Sequence, residues 1–403
     1  MPDVDPKMAE ILALIAALDL PPYEGMTGAE ARAVAEERNL FWNEGNPEVA
    51  SVRDLSLPGP AGPLTLRLYE PAGAGATSPG VLYLHGGGWV ICSLDTHDGV
   101  YRRLANASGL RVASLDYRMA PEHPFPAPLD DCVAATRWLA AHAGELGFMA
   151  DRLALAGDSA GANLALATLL ALRDAGEPLP QAAALVYGAF SADHDSPSHR
   201  AFGGGEYVLS TSLMQWFWDH YVPDPAGRAN PLASPLLADL RGLPPLYVSA
   251  AELDPLRDDS ERLAGRLALA GVDFDYRLWR GVCHACFMMS RLLPAADEQI
   301  AQVAGFLRQR LAGQVDCPHR SRWRAPRRGF RSGTQGPDSA RRCSGQQAAR
   351  PRTGDGSTAA GRHRERAGRA LSDQAGAEVG GSALGRGRDW MNSAVGQFHG
   401  LQL

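Results

Sequence analysis

The sequence predicts an α/β protein: eight short strands in a mostly parallel sheet, helices on both faces and a helical cap. Three observations carry that expectation. From about residue 80 to 311, apolar runs of strand length alternate with helix-length amphipathic segments. The alternation breaks once, between Phe190 and Leu243, into a Gly-rich loop and an aromatic helix. After Gly313 the composition changes abruptly, which confines the globular part to about 310 of the 403 residues.

The elements follow in order. Apolar residues at helical spacing predict helices over 7–18 and 28–40, separated by Pro21-Pro22. Strands are expected at 52–57 and at 64–69, where Leu64, Leu66 and Leu68 share a face. The run 81–84, bounded by Gly80 and Gly86, reads as a fully buried strand. Then come a strand at 111–115, a helix at 128–142, a strand at 153–156, a helix at 160–175 and a strand at 182–187. The break holds the aromatic helix with Met214, Trp216, Phe217, Trp218 and Tyr221, whose rings are expected to serve packing. Beyond it lie a strand at 246–250, a helix at 260–270, a strand at 274–279 and a helix at 295–311. The chain is thereby divided into N-terminal cap helices (1–45), core (46–189), cap insertion (190–243), core (244–313) and an Arg-rich tail (314–403).

Composition narrows the function. Apolar residues make up 45% and charged residues 21%, as in an ordinary globular protein. No apolar run reaches membrane-spanning length. The 39 basic and 45 acidic residues divide as 16 and 7 after Gly313 and 23 and 38 before it. The globular part is thus strongly acidic, which argues against nucleic acid as a partner. Six cysteines are too few for a disulfide framework in a chain this long. With Asp3 and Asp5 where a secretory signal would be basic, a cytoplasmic location is expected. The last ninety residues lack Lys, Ile and Tyr and are expected to be disordered.

The chemistry centres on Gly157-Asp158-Ser159-Ala160-Gly161, an apolar strand turning directly into an Ala-rich helix. So tight a turn needs glycine on both sides and lifts the Ser159 hydroxyl above the sheet edge. His85-Gly86-Gly87-Gly88-Trp89 follows the third strand; its unencumbered amides suit an oxyanion. Gly86 and Gly87 are expected donors, with the Ala160 amide as the third. Gly88, Trp89 and Asp158 are expected near substrate, Asp158 alternatively as a helix cap. His85 lies on the wrong side of the nucleophile in chain order and is read as a loop-orienting residue.

On such a sheet the order runs serine, acid, histidine. Of the histidines between Ser159 and the tail, His194, His199 and His220 precede any acid that follows a strand. His284, after the strand at 274–279, satisfies the order and is the expected base. Asp254, just past the strand at 246–250, is the expected acid, with Glu252 as alternative and Asp258 and Asp259 as helix N-terminal charges. Arg118 is expected to pair with Glu122. No metal or cofactor is called for, and Cys283 and Cys286 read as small buried residues.

Four stretches now combine: His85-Gly-Gly-Gly-Trp89, Asp116-Tyr-Arg-Met-Ala-Pro-Glu-His-Pro-Phe-Pro-Ala127, Gly157-Asp-Ser-Ala-Gly161 and Asp254-Pro-Leu-Arg-Asp258. On these the chain resembles the hormone-sensitive-lipase-like (bacterial family IV) carboxylesterases of the α/β-hydrolase fold, over roughly residues 3–311. The resemblance implies Ser159 as nucleophile, His284 as base, Asp254 as acid, an oxyanion hole from Gly86, Gly87 and Ala160, a helical cap, and short- to medium-chain acyl esters as substrates. The chain departs from the family where His284-Ala285-Cys286-Phe287 replaces His-Gly-Phe, where Cys92 replaces a glycine, and where Gly188 replaces a proline. A non-catalytic binder of the gibberellin-receptor kind is the alternative from another class, and an amidase or lactonase the alternative reaction. Natural ester, acyl length, stereopreference and a homodimer are left open.

The tail reads either as a basic appendage or as sequence past the family's normal end, for example after a frameshift. Truncation after Gly313 is expected to leave esterase activity and melting temperature nearly unchanged; a collapse of either overturns this reading.

Overall fold

A computed structural model of the chain describes residues 3–312, so the expectation for the 314–403 tail lies outside the described residues. Helix α1 (Pro6–Ala17) starts where the Asp5 carboxylate accepts from the amides of Lys7 and Met8. Helix α2 (Gly28–Leu40) starts with a reciprocal capping box between Thr27 and Glu30. The strands are β1 (Ser51–Gly59), β2 (Gly62–Glu70), β3 (Ser78–Leu84), β4 (Arg111–Asp116), β5 (Phe148–Asp158), β6 (Ala182–Val186), β7 (Leu246–Leu253) and β8 (Phe274–Cys283). They form one eight-stranded sheet in the order β1-β2-β4-β3-β5-β6-β7-β8. The β1–β2 and β2–β4 pairings are antiparallel, and every pairing from β4 onward to β8 is parallel.

Alternate residues of each central strand feed two separate cores, as the period of two dictates. Leu82 and Leu84 join the core that includes α4 (Ala127–Ala141), α5 (Ala160–Asp174) and α8 (Arg257–Ala270). Val81 and Tyr83 join the core that includes α1, α3 (Asp98–Ser108) and α9 (Pro294–Leu311). Helix α3 is absent from the sequence reading. Its buried Val100, Tyr101, Leu104, Ala105 and Ser108 stand at helical spacing with Asp98, Arg102, Arg103 and Asn106 between them, an amphipathic pattern that was open to reading in the sequence. Gly109, at φ 68°, ends it in the left-handed conformation.

The insertion after β6 contains α6 (Pro197–Phe202) and α7 (Thr211–Tyr221). Helix α7 buries Met214, Phe217, Trp218 and Tyr221. Arg118 does not pair with Glu122. It makes a two-toothed pair with buried Asp131 on α4, at 2.8 and 2.7 Å, while Glu122 pairs with Arg32 of α2. A partner supplied by another helix is invisible in the local sequence. Among the described residues no helix is long and apolar enough to cross a membrane.

Helix α5 is buried along nearly its whole length and backs the centre of the sheet. Truncating its fully buried Leu166 to Ala is expected to cost about 2–5 kcal/mol, read as a lower urea midpoint at unchanged slope.

Candidate active site

The turn between β5 and α5 sets the site. Ser159 holds φ 53° and ψ −120°, a conformation that side chains seldom adopt. It is kept there from both sides. The Ser159 amide donates to Val186 O at 2.9 Å, and the helix begins at the next residue. A Cβ on Gly161 would collide with the carbonyl oxygens of Leu84 and His85, and one on Gly157 would collide with the Gly161 backbone. Both glycines are therefore required by close approach of backbone to backbone.

His284 follows β8, and Asp254 immediately follows β7. His284 Nε2 lies 2.9 Å from Ser159 Oγ, and its Nδ1 lies 2.8 Å from Asp254 Oδ2. Asp254 is wholly buried and its second oxygen accepts the Leu256 amide at 2.8 Å. A carboxylate accepts only, so Nδ1 carries the proton and Nε2 turns its lone pair to the serine hydroxyl. The Tyr187 ring sits 4.7 Å from the imidazole, centroid to centroid. Glu252, the alternative acid, is taken up elsewhere: it accepts the Gly281 amide at 2.9 Å and pairs with Arg280.

The glycine loop after β3 borders the same turn. Gly87 and Gly88 adopt φ 111° and 58°, and the Phe217 ring of α7 covers Gly88 where a Cβ would stand. Among the described residues, the amides of Gly87, Gly88 and Ala160 have no hydrogen-bond acceptor within the protein. Gly86 differs. Its amide donates to Asp158 Oδ1 at 3.1 Å, so it cannot also serve an oxyanion. Gly86 therefore leaves the expected donor set, and the free amide of Gly88 stands in its place.

Residues 81–288 match a sequence family described as the α/β hydrolase fold. A carboxylic ester hydrolase of Mycobacterium tuberculosis, LipN, is 40% identical over 248 residues, which span 60% of this chain and 65% of that protein. An ethyl acetate hydrolase of Pseudomonas putida is 36% identical over 322 residues, spanning 76% of this chain and 99% of that protein. A solved hyperthermophilic esterase from Pyrobaculum calidifontis superposes with a TM-score of 0.73 at 38% identity, covering 77% of this chain and 99% of that one. The chain belongs to the carboxylesterases of the α/β-hydrolase superfamily.

Three features of this carboxylesterase differ from the sequence reading. Trp89, expected at substrate, is completely buried; it stacks on Tyr221 with centroids 4.1 Å apart and meets Trp218 edge-on. It anchors α7 to the glycine loop. Asp158 neither faces substrate nor caps the helix, because its Oδ1 is occupied by the Tyr83 hydroxyl and the Gly86 amide. Asp258 and Asp259 are more than helix-end charges: they accept the amides of Ser198, Phe190 and Ser191 and so tie the insertion to α8. His85 is buried, which pushes its pKa down to about 3 and keeps it neutral, unsuited to the work of a base.

The family departures also acquire a geometry. Ala285 and Cys92, both in the stretches that depart from the resemblance, adopt φ 63° and 71°, in the left-handed region that favours glycine. Cys283 and Cys286 are buried free thiols whose pKa values burial raises, the second to about 12. Among the described residues no cluster of His, Cys, Asp and Glu could hold a metal ion.

Gly161→Ala forces a methyl into the Leu84 carbonyl. It is expected to cost at least about 1–3 kcal/mol of stability and to reduce turnover, both measurable on the purified variant.

Proposed function

We propose that this carboxylesterase hydrolyses short- to medium-chain acyl esters through an acyl-enzyme on Ser159. The observation that carries the reading is the unbroken line from Ser159 Oγ through His284 to Asp254, at 2.9 and 2.8 Å. His284 Nε2 takes the hydroxyl proton as Oγ attacks the ester carbonyl, and Asp254 steadies the imidazolium that forms. The oxyanion is received by the amides of Gly87, Gly88 and Ala160, the last at the N-terminus of α5. His284 returns the proton to the leaving alcohol. Water then enters, gives a proton to the same nitrogen as its oxygen attacks the acyl carbon, and the proton passes from His284 to Ser159 Oγ as the acyl–oxygen bond breaks and the acid leaves.

The N-terminal helices and the 190–243 insertion act as the cap in this reading. Phe217 closes the side of the glycine loop, which favours compact acyl groups. The activity named for the ethyl acetate hydrolase of Pseudomonas putida is in keeping with a small ester. A serine already hydrogen-bonded to an oriented imidazole speaks against a purely binding role, since a receptor has no use for a poised base.

Ser159→Ala is expected to lower kcat on p-nitrophenyl acetate and butyrate by at least ten-thousandfold, roughly, with circular dichroism unchanged. Asp254→Asn, which leaves the imidazole in the wrong tautomer, should cost roughly ten-thousandfold as well. Turnover retained in Ser159→Ala discards the assignment.

A further inference from the structure

The proposed mechanism leaves a second imidazole–carboxylate contact unused, one residue from the nucleophile. Asp158 and His97 are both buried, and His97 Nε2 lies 3.4 Å from Asp158 Oδ1. The same oxygen accepts the Tyr83 hydroxyl at 2.9 Å and the Gly86 amide at 3.1 Å. A carboxylate withdrawn from water needs donors or a cation around it. Burial opposes ionisation of Asp158, yet the imidazole of His97 and the Tyr83 hydroxyl keep its pKa below the ordinary value.

The orientation of His97 is set on its other side. Its Nδ1 is 3.0 Å from Thr96 Oγ1, whose one hydrogen lies within reach of both that nitrogen and Ser93 O, the latter at 3.0 Å. Thr96 is itself held by Ser93, whose amide donates to Oγ1 at 2.9 Å. With the Thr96 hydrogen turned to Nδ1, the ring hydrogen sits on Nε2 and faces Asp158; with it turned to Ser93 O, Nδ1 donates to Thr96 and only a doubly protonated ring presents a hydrogen to Asp158. A bare lone pair at that nitrogen would repel the carboxylate.

What Asp158 holds is the glycine loop. A Cβ on Gly86 would stand 2.5 Å from Asp158 Oδ2, so the carboxylate packs closely against that residue's backbone. On the far side of Gly86 its carbonyl is 2.7 Å from His85 Nδ1. That carbonyl belongs to the same peptide plane as the Gly87 amide, the first oxyanion donor in the proposed mechanism. Clamping Gly86 at its N–H and at its C=O thus fixes the direction in which the Gly87 N–H points.

We propose that His97 is a positioning residue: through Asp158 it holds the Gly86 backbone, and so aims the oxyanion-binding amides at the reacting carbonyl. The inference rests on the proposed assignment of those amides. Loss of the Nε2 hydrogen frees Asp158 to turn or take up a proton, which releases Gly86. Donors that meet charge only in the transition state then lose alignment, while ground-state ester binding stays the same.

The test compares kcat and KM on p-nitrophenyl butyrate for the parent, His97→Leu and His97→Gln. The glutamine amide can place an N–H near the position of Nε2. His97→Leu is expected to lower kcat at least about tenfold with KM within about threefold, and His97→Gln to recover kcat to within about threefold of the parent. Parental kcat in His97→Leu, or equal losses in both variants, overturns the inference. Should His97→Leu fail to fold, His97→Gln is set against His97→Asn, whose amide is too short to reach. Asparagine at least about tenfold slower supports the inference, and equal rates overturn it. Labelling of the parent by diethyl p-nitrophenyl phosphate separates the two readings. A parent unlabelled at Ser159 breaks the proposed mechanism, whereas a labelled parent with indifferent His97 variants removes only the role of His97.

Discussion

The close approach of helix α5 to the carbonyls at the end of β3 governs the rest of the structure. With no side chain on Gly157 or Gly161, the first turn of α5 can sit against Leu84 and His85. Only then does the chain pass from β5 to α5 through a single residue, Ser159, at φ 53°. Strain of that kind persists where its surroundings over-determine it. Here the Ser159 amide is bonded to Val186, and Asn163 one turn into the helix reaches the carbonyls of Ala189 and Ala233. Because β3 and β6 flank β5, the glycine loop and the start of the insertion meet at the serine without any long excursion.

The acid and the insertion share one support. Asp254 immediately follows β7 and accepts the Leu256 amide just before α8, while Asp258 and Asp259 in the first turn of α8 accept the amides that open the insertion and α6. Trp89 makes the matching connection on the other side by stacking on Tyr221 of α7. The insertion is therefore fastened at the element that presents Asp254 and at the loop that presents the amides of Gly87 and Gly88, the proposed acid and oxyanion donors. A displacement of α7 would be felt at Gly88 through Phe217.

Much of this was legible in the sequence because the signals are local. Apolar runs, alternating in the first two strands and continuous in the central ones, located the strands, and the order of serine, acid and histidine singled out Ser159, Asp254 and His284 as candidates without any distance. Illegible features came from partners distant in the chain. Asp158 reads as a helix cap until β3 and β5 pair and bring Tyr83 and Gly86 to it. Trp89 reads as a substrate contact until α7 arrives to cover it. Helix α3 is a different case: its buried residues stand at helical spacing with polar residues on the opposite face, so its signal was local and went unread. Gly109 also offered a helix stop, and a parallel β3–β4 pairing needs a crossover, so that element could have been inferred.

The neighbourhood of Asp158 also carries an electrostatic argument. In the proposed mechanism a buried carboxylate one residue from Ser159 would oppose the negative charge that grows on the ester oxygen, and opposition between like charges is strongest where water is excluded. The structure meets this in the only way a fixed carboxylate permits, by surrounding Oδ1 with the Tyr83 hydroxyl, the Gly86 amide and the His97 imidazole. The Gly86 amide is thereby spent on the fixed charge, and in the proposed mechanism the donor set shifts one residue along the loop, to Gly87 and Gly88. That shift is tolerable because both of these glycines already hold positive φ, and a Cβ at either would collide, with the Ile91 carbonyl at Gly87 and with Phe217 at Gly88. Three consecutive glycines thus answer three separate demands: contact with a carboxylate, a reversal of the backbone, and room for an aromatic wall.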